Sequence, residues 1–220
     1  MMKLGTTLGL AAIVIVGAIV ANFTLRHDST LPEQLYDVAV FPPQSLEAVD
    51  LIDQNNEVVG IERFKNNWTF LFVGFTHCAH ICVPSLSQMV LLKKAILNQP
   101  EFGPRYQEKG LAFVFVSVDP ARDTPEHLAR YMGSFDPGFI GMTGEESAVE
   151  DFEKRLKAFH RVREDKTKPQ GYDIDHSGEI FLIDPAGRLA AKFHPPLDIN
   201  KVVNQFQLFV GHFTAPVPPG

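Results

Sequence analysis

Two stretches of the chain, Trp68–Phe75 (WTFLFVGF) and Leu111–Val118 (LAFVFVSV), are almost continuously apolar over the length of a strand and rich in aromatic and β-branched residues. A strand with one wetted face alternates polar and apolar side chains, so an unbroken run reads as a strand buried on both faces. Between them the period changes: in Pro84–Leu97 the residues Leu86, Met89, Val90, Ile96 and Leu97 recur at helical spacing, with Lys93 and Lys94 interrupting the stripe. Met89 fits that stripe as core filling. Further on, Ile180–Ile183 and Leu189–Phe193 bracket the turn residues Asp184-Pro185-Ala186-Gly187, a hairpin signal. Strands alternating with helices, with a hairpin near the end, indicate an α/β sandwich around a mixed sheet.

The remaining elements follow from local signals. Val49–Ile52 and Val58–Ile61 flank the turn-like Asp53-Gln54-Asn55-Asn56 and predict a first hairpin. Asp123-Thr124-Pro125-Glu126 is a helix start, with Asp123 as N-cap and Glu126 at N3, or Thr124 as cap and Pro125 at N1. Thr143 to Glu146 repeats the capping-box spacing ahead of a helix ending near Phe159, and Ile199–Val210 reads as the last helix. Arg122 and Asp123 are read as structural, through local pairing and capping.

Ahead of all this, Leu4–Leu25 holds 22 residues without a charge, long enough to cross a hydrocarbon core of about 30 Å. It reads as a single-span N-terminal transmembrane anchor over residues 1–27. The alternative is a cleaved signal peptide, against which stands the bulky Ile19 at the first small position of Ile19-Val20-Ala21. Residues 28–44, with Pro32, Pro42 and Pro43 and little periodicity, read as a linker, 45–211 as the folded domain and 212–220 as a loose tail. Either reading of the N-terminus exports the domain to a compartment where thiols can be oxidised. Twenty basic against twenty-six acidic residues, a net charge of −6 and the lack of a Lys/Arg-rich block make nucleic acid a poor partner.

The chemistry centres on the chain's two cysteines, Cys78 and Cys82, at the junction of the first buried strand and its helix. On a first helical turn, residues i and i+4 share a face, and free N–H groups with the positive end of the helix dipole favour thiolate there. Thiolate both attacks disulfides and binds metal, so the pair could close a disulfide, exchange one or hold a soft ion. His77 and His80 stand within the same loop, His176 lies just before the last hairpin, and His194 precedes Pro195-Pro196. Two thiolates with one imidazole suit copper, or zinc if a fourth ligand is supplied. Asp119 ends the second buried strand, where it either orients a ligand or simply forms the turn before Pro120.

Three motifs resemble the Sco/SenC family. Val73-Gly74-Phe75-Thr76-His77-Cys78, with Cys82 four residues on, is similar to its site loop. Ser117-Val118-Asp119-Pro120-Ala121-Arg122-Asp123-Thr124-Pro125 is similar to its second signature. Asp175-His176-Ser177, followed by Phe181-Leu182-Ile183-Asp184-Pro185-Ala186-Gly187, is similar to its third. The resemblance runs from about Phe41 to Phe209 and implies a thioredoxin-like fold tethered to a membrane and facing out of the cytoplasm, in the periplasm or its equivalent. It implies copper binding through Cys78, Cys82 and His176, as Cu(I) or Cu(II), and delivery during assembly of the copper site of cytochrome c oxidase. A thiol–disulfide role for Cys78 and Cys82 accompanies this in some members. Implied partners are the oxidase copper subunit or another copper protein, and a copper donor or thiol reductant. The loop departs from the family's Cys-Pro-Asp-x-Cys-Pro: here it reads Cys78-Ala79-His80-Ile81-Cys82-Val83, with proline delayed to Pro84. Loss of the prolines loosens the loop, and His80 replaces a negative charge by a group that can lower thiol pKa when protonated or serve as an extra ligand when neutral.

Overall fold

The computed structural model describes residues 31–213 apart from 48, 79, 102 and 107–109. Residues 31–36 belong to a unit of their own, in which Glu33–Leu35 form one 3-10 turn. The second unit, from Asp37 on, holds ten strands, β1(Ala39–Ser45), β2(Leu51–Asp53), β3(Val58–Val59), β4(Trp68–Gly74), β5(Leu111–Ser117), β6(Phe139–Thr143), β7(His160–Glu164), β8(Tyr172–His176), β9(Ile180–Ile183) and β10(Arg188–Phe193). Its helices are α1(Cys82–Leu97), α2(Gly103–Tyr106), α3(Pro125–Phe135), α4(Glu146–Leu156) and α5(Ile199–Phe213).

The two apolar runs are the middle of the main sheet, whose order is β1-β10-β9-β4-β5-β6-β2-β3. All seven residues of β4 are buried. β4 pairs parallel with β5 and β5 with β6, while the other neighbours are antiparallel, so the sheet is mixed, in a thioredoxin-like α/β architecture. Parallel registers put Phe70 opposite Phe113 and Phe113 opposite Phe139. Their rings stack at 5.3 Å in both steps, a ladder across three strands that ties the register to core packing.

Where the structure departs from the sequence reading, a tertiary partner explains the difference. Ala39–Ser45, inside the stretch read as linker, is the edge strand β1, joined to β10 through Ala39↔Ala191, Gln44↔Leu189 and Ser45↔Arg188. Pro42 and Pro43 fall where that register shifts, and an edge strand tolerates residues without an N–H. Thr143 caps no helix: it ends β6 opposite Ile52, and α4 starts after Glu145 and stops at Leu156. β6 itself is concealed by Gly141, where a Cβ would lie 2.9 Å from Leu128 Cβ; the glycine lets α3 pack close on the sheet. His212 and Phe213, read as tail, belong to α5. The Leu4–Leu25 segment lies outside the described residues, and among those described no helix is long and apolar enough to cross a membrane.

β7 and β8 form a separate two-stranded sheet, in register from His160↔His176 to Glu164↔Tyr172. No periodicity announced it, because β7 is mostly exposed and β8 half-buried, with pairs made through charge, as in Arg161 with Asp175. This hairpin brings His176 to the main sheet's carboxyl edge, where β4 ends and α1 begins.

Candidate metal centre

β4 ends at Gly74 and the chain turns through Phe75–Ile81 into α1. Cys78 N–H donates to Phe75 O (3.2 Å), so Cys78 sits in the turn, and only Cys82 stands on the helix, as its first residue. The sequence reading placed both on one helical turn; the turn achieves the same convergence by folding Cys78 back over the helix start. Pro84 is tolerated because first-turn N–H groups have no helical acceptor. Gly74 supplies the space for the Cys82 sulfur: a Cβ there would stand 2.6 Å from Cys82 Sγ and 3.1 and 3.2 Å from the Phe115 and Phe72 rings.

His176 closes the set. Its Nδ1 donates to Ser177 O (2.9 Å), leaving Nε2 aimed at the sulfurs, 3.4 Å from Cys82 Sγ. The ring meets Phe72 and Phe75 edge-on. One ligand atom from each of Cys78, Cys82 and His176 lies within 4.8 Å of the others, the one such group of three or more among the described residues. Both cysteines are free thiols and buried, Cys82 completely. Two soft sulfurs and an imidazole at this spacing fit a soft or borderline ion.

The two thiols differ. Cys78 is held far below an ordinary thiol, down to about 3, first by a hydrogen bond from Cys82, then by the N–H groups of Ile81 and Cys82 at the helix start, against the opposing effect of burial. Cys82 is pushed up by donating to Cys78, by its burial and by the neighbouring Cys78 charge. The pair therefore rests as one thiolate and one thiol, with the thiolate on the more exposed sulfur.

The loop is pinned from below. Asp123, fully buried, accepts from Thr76 N (2.9 Å), Thr76 Oγ1 (2.6 Å) and Ser117 Oγ (2.5 Å). It is thus no helix cap: Thr124 caps α3, with Pro125 following, and Asp123 anchors the cysteine loop across 47 residues of sequence. Since Thr76 gives its proton to Asp123, the imidazoles of His77 (3.1 Å) and His127 (3.0 Å) donate to its oxygen. His77 is accordingly engaged at the loop's outer side. His80 is exposed and lines a cleft of about 250 Å³ with Cys78, Arg163 and His176, outside the three-ligand group. His194 lines the neighbouring groove with Ile81, Phe159 and Ser177. Asp119 accepts from Arg122 Nε and from Tyr172 Oη (3.0 Å); it braces the first residue of β8.

Sequence reasoning missed the hairpin's other support. His160, opposite His176, pairs through Nδ1 with Glu153 Oε2 of α4 (2.5 Å), both side chains buried. The bond from Glu153 lifts His160 above its ordinary value of 6.5, against the effect of burial. A raised histidine stabilises the fold fully below its unfolded pKa and loses that contribution as pH rises through the folded one. His160→Ala is expected to cost about 3 kcal/mol at pH 6, because it leaves a buried carboxylate unpaired. Urea unfolding between pH 5 and 9 checks this: the parent declines as pH rises through and above neutrality, and the variant lacks that decline.

Fold and site together define a thioredoxin-like domain with a buried dithiol and a histidine at the start of its first long helix. The SCO1/SenC family model matches residues 42–210, and the chain belongs to that family. The SCO2-like protein of Rickettsia felis is 36% identical over 146 residues, 66% of this chain and 67% of the relative. Among solved structures, yeast Sco1 with copper bound superposes with a TM-score of 0.66 at 25% identity, covering 80% of this chain and 92% of the other. Bradyrhizobium japonicum ScoI with copper bound gives 0.62 at 26%, covering 73% and 96%.

Proposed function

We propose that the protein carries copper as cargo on Cys78, Cys82 and His176 and hands it to a copper protein during assembly of the copper site of cytochrome c oxidase. The observation that carries this is the convergence of two sulfurs and one imidazole nitrogen within 4.8 Å from segments 94 residues apart. The copper-bound yeast and Bradyrhizobium structures support the choice of ion. In this reading Leu4–Leu25 anchors the domain to a membrane, with the site outside the cytoplasm, in the periplasm or its equivalent. The chain's own part is to present one sulfur already deprotonated, to surrender one proton from Cys82 on loading, and to offer Nε2 with its tautomer set by the Ser177 carbonyl. Ligand exchange with a client proceeds through the cleft where Cys78, His80 and His176 reach the surface.

Titration of the reduced full-length protein in detergent with Cu(I), against a competing chelator and without oxygen, tests the reading. One ion per chain binds in the parent, and His176→Ala weakens binding at least about tenfold, 1.4 kcal/mol. Binding of equal strength in the variant, or no competitive binding in the parent, overturns it.

The inequality of the two thiols favours a second reading, a thiol–disulfide exchange on the client's cysteines. Cys78 thiolate attacks the client disulfide, and a mixed disulfide forms as one client thiolate leaves. Cys82 then loses its proton and attacks Cys78 sulfur. Two electrons pass to the client, which departs as a dithiol. His176→Ala keeps most of that activity, whereas Cys78→Ser loses it.

A further inference from the structure

The three ligands stand on supports of unequal firmness. Cys82 is on α1, and the turn carrying Cys78 is bonded to Asp123 beneath it. His176 rides on β8, which shares no ladder with the main sheet. Its placement therefore depends on the short link into β9, which begins at Ile180, and on side-chain attachments. One of them joins the two ligand-bearing segments directly. The Arg122 guanidinium lies 5.5 Å from the centre of the Phe75 ring, three residues before Cys78, and 4.3 Å from the centre of the Tyr172 ring, four residues before His176. Asp119 grips both sides of this stack, accepting from Arg122 Nε and from Tyr172 Oη at 3.0 Å. The Arg122 side chain is 14% exposed, and its Nη1 and Nη2 are buried without hydrogen-bond partners. The guanidinium is thus held by its faces and by one carboxylate, and a flat cation is what the slot between two rings accepts.

We propose that the Arg122–Tyr172 stack is a positioning device that keeps His176 against the sulfurs and thereby sets how long copper stays on the protein. The proposal rests on the copper reading above. Release from a three-donor site begins when one donor withdraws. The sulfurs are fixed to the body, so the donor that withdraws is the imidazole on the separately attached hairpin. Loosening the stack raises the frequency of that withdrawal while leaving the thiols and the bound geometry as they are. It speeds release and changes equilibrium affinity less, since the hairpin stays mostly docked.

Two substitutions divide the attachment. Tyr172→Phe keeps the ring under Arg122 and removes the bond to Asp119; Arg122→Lys keeps the charge beside Asp119 and removes the flat face. Copper-loaded full-length protein in detergent is mixed with excess Cu(I) chelator in a stopped-flow instrument. Each variant releases copper about tenfold faster than the parent, as expected for losing a hydrogen bond to a charged group or its equivalent in stacking. Alkylation of Cys78 stays within about twofold of the parent. The decisive arm repeats Tyr172→Phe in a His176→Ala background, where it accelerates release no further, because the device acts through His176. Release at the parent's rate in both single variants overturns the proposal, as does equal acceleration with and without His176. Tyr172→Phe keeps the ring volume, so it decides the matter even where Arg122→Lys fails to fold. A parent that binds no copper sinks the copper reading and this proposal together; a parent that binds while the variants release normally sinks this proposal alone.

Discussion

Between pH 8 and pH 5 the alkylation rate of Cys78 by a small reagent such as iodoacetamide stays nearly flat, whereas an ordinary thiol with a pKa near 9.0 slows about a thousandfold as its thiolate fraction shrinks. The cause is the hydrogen bond from Cys82, joined by two N–H groups of the helix start, which hold the Cys78 thiol down to about 3. The absolute rate is not the diagnostic quantity: nucleophilicity falls with basicity, so at pH 6 the gain in thiolate over an ordinary thiol is largely offset. The shape of the pH profile is. Cys82, raised and fully buried, stays unmodified over the same range, which mass spectrometry of the labelled protein reads directly. Cys82→Ala removes the donor and steepens the Cys78 profile. A parent profile that falls tenfold per pH unit would mean that Cys78 is not the standing thiolate.

Gly74→Ala is expected to damage the site and the fold together. The added methyl meets Cys82 Sγ at 2.6 Å and two phenylalanine rings at 3.1 and 3.2 Å, with β4 buried along its whole length. Overpacking of this kind costs about 1–3 kcal/mol, a fall in melting temperature of about 2–12 °C at this chain length. The sulfur is the nearest of the three neighbours and must shift by about 1 Å to reach ordinary contact, well beyond the roughly 0.2 Å within which metal–ligand distances are held. Copper affinity is therefore expected to drop on the order of a hundredfold. Gly141→Ala is the control: it crowds Leu128 on α3, lowers stability to a similar degree, and leaves the copper titration unchanged. Equal copper affinity in Gly74→Ala and parent would show that strand and sulfur are not in contact.

These two cases show what the sequence reveals and what it conceals. Cys78, Cys82 and His176 were legible because their chemistry is rare and their motifs are long. The buried strands β4 and β5 were legible because burial on both faces leaves no room for alternation. The site's supports were not. Gly74 looks like any strand-end glycine until the Cys82 sulfur is found against it. Asp123 carries a perfect local explanation as a helix cap, and only the folded chain shows its carboxylate spent on Thr76 and Ser117. β1 and β7 were hidden for the same reason: an edge strand with prolines and a charged exposed hairpin owe their existence to a partner far along the chain. Local signals identify donors, whereas positioning is a property of contacts between distant segments.

The 94 residues that separate Cys82 from His176 bear on how the protein is made. During synthesis the sulfurs emerge with β4 and α1, long before β8 and its imidazole exist. On the copper reading proposed above, a half-made or truncated chain offers a bare dithiol, which holds the ion with one donor fewer. In that reading full affinity arrives only when the last third of the domain has docked, so loading discriminates finished molecules from unfinished ones, and the ion stabilises the finished state in return.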